Sequence, residues 1–495
     1  MLFLNYCLIY KAKILYREIH SFMNKTIPLI FLLISLFLLS VNVSAFYSDL
    51  EPLTSKAKNA APNHSVWQTQ GYGYILEVIG EDIRFYDITK HHCILNTVES
   101  GEYPSRNLIV EGDSAELDWF TVHPVKLKKL SRLPILCKQS LQPNADNQNI
   151  KFSAPEVFDI LWFTFAENFA FNEELDWNWH TNYKTWRDRI SDSMSESALA
   201  EIITELIDEL GDAHAYVESD DDSFFAMNNI KWEKFRSRII EEGFSQQTEF
   251  SSFRDFFQAL SKKRNIIISS YFDKKHPPQK LNHSLLWASL PHKINYLSID
   301  DMSEYTAEET IQADIKEVDR AIQHIMPMLT NAKGLVIDLR WNSGGYDIVS
   351  QRLLSYFIDK PLLVGSKSYR TENGFSKPEN IIVNPATFDR YLGPIVVLTS
   401  GITMSAAESF LLGLAAREQV IIIGEPSNGG FSDSLPKQLP NGWSFTLSNE
   451  RYFDRKGESY EYRGYPVEKN FEYLNAADLK AEKDSALIEA MKILR

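Results

Sequence analysis

The sequence predicts an α/β core preceded by a helical subdomain and a separate small β-rich domain. Three observations predict it. From about residue 290 the apolar runs "INYLSID", "GLVIDLR", "PIVVLTS" and "QVIIIGE" alternate with helical patterns, as in a largely parallel sheet covered by helices. Residues 150–225 repeat apolar side chains at helical spacing, and residues 46–145 alternate them at strand spacing. A chain of 495 residues is too long for one ordinary core. The expected division is 1–45 as a signal segment, 46–149 as the β-rich domain, 150–289 as the helical subdomain and connector, and 290–495 as the α/β core.

The first segment reads "MNKTIPLIFLLISLFLLSVNVSA" from Met23. Lys25 supplies positive charge, an apolar run follows, and Val43-Ser44-Ala45 offers small residues at a cleavage point, the pattern of a removed secretory signal. The run is short for a membrane span, so no stable membrane anchor is expected. The implied location is secreted or periplasmic, in a bacterial envelope. Loss of residues 1–45, with four Lys/Arg and one acidic residue, takes the net charge from −15 to about −18. Such a surface disfavours nucleic acid as a partner. Two cysteines remain, Cys93 and Cys137. In an exported protein they could form one disulfide or stay as two thiols, and they are too few for a Cys-rich metal site.

In the β-rich part, "GYGYILEVIGEDIRFYDIT" alternates through Tyr74, Leu76 and Val78, turns at Gly80-Glu81-Asp82, and alternates again. Gly71-Tyr-Gly73 lacks the third glycine and following helix of a dinucleotide site. His91-His92-Cys93 has no second ligand cluster and reads as a turn. The helical part opens on a Ser153-x-x-Glu156 capping box, and "SALAEIITELIDELG" ends at Gly211, a helix C-cap. Residues 226–285 read as helical patches in a connector. In the core, residues 306–330 read as a helix opened by Thr306-x-x-Glu309, Asp347–Phe357 and Ser405–Ala416 as two more, and Asn441-Gly442 as a hairpin turn.

Three stretches could carry chemistry. In "TSGITMSAAES", Ser405-x-x-Glu408 is a capping box, but Ser405 also stands on a strand-to-helix turn where a nucleophile would sit. A negative oxygen forming beside it would meet the Ala406 N–H and the positive end of the helix dipole. In "GLVIDLRWNSGG", Gly344 and Gly345 let backbone approach a ligand at the carboxyl edge of a strand, and their N–H groups could complete an oxyanion hole. In "ELGDAHAYVES", His214 follows a capped helix end, where a lone histidine is most often solvated or structural.

Taken together, "LGDAH", "GLVIDLRWNSGG", "PIVVLTSGITMSAAE", "IIIGEPSNGG" and "LPNGWSFTL…YEYRGYPVE" stand in an order that resembles the tail-specific (C-terminal processing) serine peptidases. The likeness covers roughly residues 150–475 and is closer to the tricorn-like and interphotoreceptor-retinoid-binding-protein-like branch. It implies a Clp/crotonase-like core with a helical N-terminal subdomain that brings in a histidine. One branch of the family uses a lysine base in a G-K-G turn. Here Gly430 stands at that position and Lys437 lies out of register, so the resemblance points to His214 as the base. Histidine also suits general-base work near neutral pH.

The resemblance further implies Glu461 as the residue that orients His214. Where that branch can place a linking serine before the histidine, this chain has Ala213. Residues 220–290 show no PDZ pattern. The implied activity is hydrolysis of peptide bonds in a peptide or protein substrate, with no metal or organic cofactor. The alternatives are a non-catalytic member of the same fold that binds an apolar ligand or a protein, and an interaction protein whose β-rich domain binds a partner beside a vestigial core.

Overall fold

The computed structural model describes residues 63–495 apart from 98, 101–106, 120, 139–151, 220–222, 242–252 and 309. The signal expectation for 1–45 lies outside the described residues. Residues 60–495 form one compact unit.

The β-rich part is a seven-stranded antiparallel sheet of β1 (His64–Thr69), β2 (Tyr74–Ile79), β3 (Asp82–Ile88), β4 (Cys93–Asn96), β5 (Leu108–Glu111), β6 (Ser114–Leu117) and β7 (Val125–Leu130), in the order β4-β3-β2-β1-β7-β6-β5. Alternation puts Trp67, Leu76, Val78, Phe85 and Leu127 on its buried face. That face shares one apolar cluster with the helices Ala154–Asn168 and Glu196–Leu210 and with the hairpin strands Ser434–Gln438 and Ser444–Ser448. Cys93 and Cys137 are joined in a disulfide that ties β4 to the short helix Ile135–Lys138. Lys437 crosses from the hairpin into this sheet, its Nζ 3.0 Å from Asp87 Oδ1 and 2.8 Å from the Tyr72 carbonyl.

The helical part forms as its caps dictate. Glu156 accepts from the Ser153 N–H at 2.9 Å, and Gly211 ends the second long helix in the left-handed region. The connector holds two helices, Ile230–Glu241 and Phe253–Ser269.

The core is a seven-stranded mixed sheet in the order Gln279–Lys280, Leu285–Leu290, Ile294–Ile299, Gly334–Asp338, Ile395–Thr399, Val420–Gly424, Lys469–Asn470. The first two junctions are antiparallel and the last four parallel. Its central strands are buried on both faces, which is why they read as continuous apolar runs. The helices Ile311–Thr330, Asp347–Ser355 and Ala406–Ala415 cover one face, and Ser485–Ile493 with the end of Phe253–Ser269 the other.

One helix start departs from expectation. The Thr306 box does not open the helix. Thr310 caps it, accepting from the Ala313 N–H at 3.2 Å, while Asp314 holds the Glu304 and Tyr305 N–H groups and keeps that segment outside the helix.

Behind the central strands Arg340, 2% exposed, lies between two carboxylates. Its guanidinium makes paired hydrogen bonds to Asp338 (2.9 and 2.7 Å) and Asp484 (2.9 and 2.7 Å). Beside it, Arg264 pairs with Asp300 at 2.8 Å. Among the described residues no helix is long and apolar enough to cross a membrane.

Candidate active site

The nucleophile candidate sits where a core strand turns into a helix. The strand Ile395–Thr399 ends in Ser400, whose hydroxyl donates to the Arg340 carbonyl at 2.6 Å, and Thr403 donates to the Leu339 carbonyl at 2.8 Å. Two side-chain hydroxyls thus fasten this turn to the neighbouring strand end. Ser405 follows with φ 57° and ψ −126°, in the region that costs a non-glycine residue on the order of 1–3 kcal/mol. Two bonds hold it there. Its N–H is shared between the Gly430 carbonyl at 3.0 Å and Glu408 Oε2 at 3.1 Å. The Ser405–Glu408 capping box is in place, though the Ser405 hydroxyl makes no side-chain cap hydrogen bond and the Glu408 carboxylate on the Ser405 N–H is its firm half.

Glu408 does far more than cap. Fully buried, it accepts from the Ser427 hydroxyl (2.5 Å) and the N–H groups of Gly429 (2.6 Å), Gly430 (2.9 Å) and Ser405 (3.1 Å). Burial pushes its carboxyl up to about 7 against these donors. The carboxylate therefore clamps the 427–430 loop onto the start of the Ser405 helix. Lys231, on the connector helix, braces the same loop through the Ser427 carbonyl at 2.6 Å.

Gly344 and Gly345 lie against this turn. Both adopt positive φ (116° and 133°), and a Cβ on Gly344 would stand 2.7 Å from Ser405 Cβ and 3.2 Å from its Oγ. On Gly345 it would stand 2.5 Å from the Met302 backbone carbon. Only glycine fits either place. The Gly344 N–H is taken by Asn342 Oδ1 at 2.8 Å. Among the described residues the N–H groups of Gly345 and Ala406 make no hydrogen bond; Ala406 follows Ser405 in the chain, and Gly345 follows the glycine that packs against it. Gly344→Ala is expected to lower kcat about 100-fold by displacing the hydroxyl, with KM little changed and the circular dichroism spectrum unaltered.

His214 lies between the helix Glu196–Leu210 and the strand Tyr216–Glu218. Its turn reaches the nucleophile turn through Gly430, where a Cβ would be 3.1 Å from both Ala213 Cβ and Met404 Cγ. The residues just before His214 and just before Ser405 thus flank one glycine. No hydrogen bond joins His214 to Ser405 among the described residues, and His214 Nδ1 is buried without a partner. Burial pushes the imidazole below its ordinary 6.5, with Asp212 and Asp433 pulling it up.

Glu461 is buried but is not bonded to His214. Its Oε2 accepts from the Phe431 and Ser432 N–H groups at 3.0 and 3.2 Å. Burial, with Asp212 and Glu408 nearby, pushes its carboxyl well above the usual range. Ala213 offers no hydroxyl to bridge to it. The acid that touches the histidine turn is Asp212, whose Oδ1 accepts the His214 N–H at 2.9 Å. Neither Asp212 nor the wider role of Glu408 was read from the sequence. The one available signal was position, two residues before His214 and three after Ser405.

Residues 293–472 match the family model for Peptidase family S41. A stretch of 173 residues is 27% identical to the carboxy-terminal processing protease CtpA of Bacillus subtilis (strain 168), covering 35% of this chain and 34% of that protein. The chain thus spans about a third of the length of the curated relative it matches. Among solved structures, a candidate peptidase from Parabacteroides merdae superposes with a TM-score of 0.56 at 22% identity, over 70% of this chain and 97% of that one. Mature CPAF complexed with lactacystin superposes with a TM-score of 0.50 at 15% identity, over 69% of this chain and 97% of that one. At these identities the likeness shows the fold.

Proposed function

We propose that the chain is an exported serine peptidase of the S41 type, whose family model residues 293–472 match, with Ser405 as nucleophile and His214 as general base. Ser405 Oγ attacks a peptide carbonyl, His214 takes its proton, and the N–H groups of Gly345 and Ala406 receive the oxyanion. His214 then returns the proton to the leaving amine. Glu461 serves this machinery through the loop it holds, since Phe431 and Ser432 follow the Gly430 carbonyl that takes the Ser405 N–H.

The observation that carries the reading is the Ser405 turn. A strained serine opens a helix, a glycine lies against its hydroxyl, and the next residue after each, Ala406 and Gly345, keeps an unspent N–H. Export is supported by the signal pattern from Met23 and by the Cys93–Cys137 disulfide, which suits an oxidising compartment.

The test follows from the base. Neutral imidazole is the active form and burial disfavours its protonation, so the acid limb of kcat/KM on an unfolded protein substrate is expected below pH 6.5. His214→Ala is expected to abolish that limb together with nearly all hydrolysis. Hydrolysis that survives His214→Ala, or a limb above pH 6.5, would count against the assignment.

A further inference from the structure

We infer that Asp212, together with Tyr462, is the positioning pair that sets His214 against Ser405. This rests on the serine-peptidase reading and goes beyond it, because neither residue is one of the groups that reading needs to touch substrate.

The geometry is a three-way junction. Asp212 is 1% exposed. Its Oδ1 accepts the His214 N–H at 2.9 Å and the Ser448 hydroxyl at 2.7 Å, and its Oδ2 accepts the Tyr462 hydroxyl at 2.7 Å. One carboxylate therefore joins the histidine turn, the hairpin strand Ser444–Ser448 and the 460–464 turn. Tyr462 continues the path. It sits at φ 58°, its ring meets Phe171 edge-on at 5.4 Å, and its N–H donates to the Gly429 carbonyl at 2.7 Å. Burial first, then Asp212, pushes the Tyr462 phenol up, so it remains a donor. Gly429 and Gly430 are clamped by Glu408, and the Gly430 carbonyl takes the Ser405 N–H.

The connection from base to nucleophile thus runs His214, Asp212, Tyr462, Gly429-Gly430, Ser405. It substitutes for a bond the histidine ring lacks, since Nδ1 has no partner and the ring is placed by its backbone. Asp212 also supplies charge. The carboxylates that act on His214 are Asp212 and Asp433, and Asp433 is paired with Lys367 at 2.9 Å. Glu461 is not among the groups that act on His214, and Asp212 acts on it in turn. Asp212 is therefore the acid not already matched by a cation, and it stabilises the imidazolium that forms as Ser405 attacks.

The experiment compares Asp212→Asn and Tyr462→Phe with wild type on one fluorogenic peptide, across pH. Asp212→Asn is expected to lower kcat about 10- to 1000-fold with KM changed less than about threefold. Removing the negative charge makes imidazolium harder to form, so the acid limb moves to lower pH, by about half a unit or more. Tyr462→Phe keeps the charge and loosens the brace: kcat falls about tenfold and the limb stays in place. A merely structural role would lower the yield of active enzyme without moving the limb. Unchanged kcat in both folded variants, or a limb that does not move in Asp212→Asn, overturns the inference. Wild-type hydrolysis that persists in Ser405→Ala instead overturns the peptidase reading beneath it.

Discussion

Ser405→Ala is expected to reduce peptide hydrolysis by about four to six orders of magnitude while leaving the fold intact. The size follows from the chemistry. On the proposed mechanism the Ser405 hydroxyl is the bond-forming group, and substitution by alanine leaves only the unspent Gly345 and Ala406 N–H groups of that machinery. What remains is the contribution of those donors and of substrate binding. The fold survives because Ser405 Oγ makes no capping bond, and an alanine Cβ keeps the contact with Gly344. The strained φ is imposed by the Gly430 and Glu408 bonds to the backbone N–H, which alanine retains. His214→Ala should cost a similar factor, and the double variant little more than either alone, because base and nucleophile act as one unit. Additive losses would separate the two residues into different roles. Single-turnover rates with a common peptide, with thermal melting alongside, check both halves.

Arg340→Met is expected to destabilise the chain by about 3–5 kcal/mol, the range for breaking a buried ion pair from one side. Arg340 is 2% exposed and its partners Asp338 and Asp484 are 0% and 8% exposed at the side chain. Methionine fills much of the volume and supplies no donors. Two carboxylates would be left in the interior, Asp338 keeping the Tyr296 hydroxyl at 2.7 Å and the backbone N–H of residue 340 at 3.1 Å. The charged state of Asp338 depends on this cation: against burial, the Arg340 guanidinium holds it down to about 2. The damage should reach the candidate site, since the Arg340 carbonyl takes the Ser400 hydroxyl at 2.6 Å and the chain runs on to Gly344. Urea unfolding followed by tryptophan fluorescence measures the loss. A midpoint equal to wild type would mean that the site relaxes or admits water.

The parts of this fold that could be read from sequence are those whose determinants are local. The strand runs of the core, the Ser153 box, the Gly211 cap and the Asn441-Gly442 turn each depend on a few neighbouring residues, and each forms. The Ser405 turn and the paired glycines were legible for the same reason. The Thr306 helix start failed because a tertiary carboxylate, Asp314, outcompeted a local cap.

The wiring of the candidate site was less legible because it is long-range. Asp212 gains its partners at Ser448 and Tyr462, more than 200 residues away, and nothing near it signals them. Glu408 looks like an ordinary helix cap until the 427–430 loop folds over it. Glu461 resembles an orienting acid by position, yet its carboxylate meets the Phe431 and Ser432 N–H groups, and Ala213 removes the hydroxyl that could have carried it to the histidine.

The central claim is that Ser405 is a nucleophile activated by His214. Its most direct measurement is labelling of the purified protein with a fluorophosphonate probe, followed by mass-spectrometric mapping of the adduct. The account predicts one stoichiometric adduct on the peptide containing Ser405, slowed at least about 1000-fold in His214→Ala. An unlabelled Ser405, or labelling that proceeds equally well without His214, would contradict it.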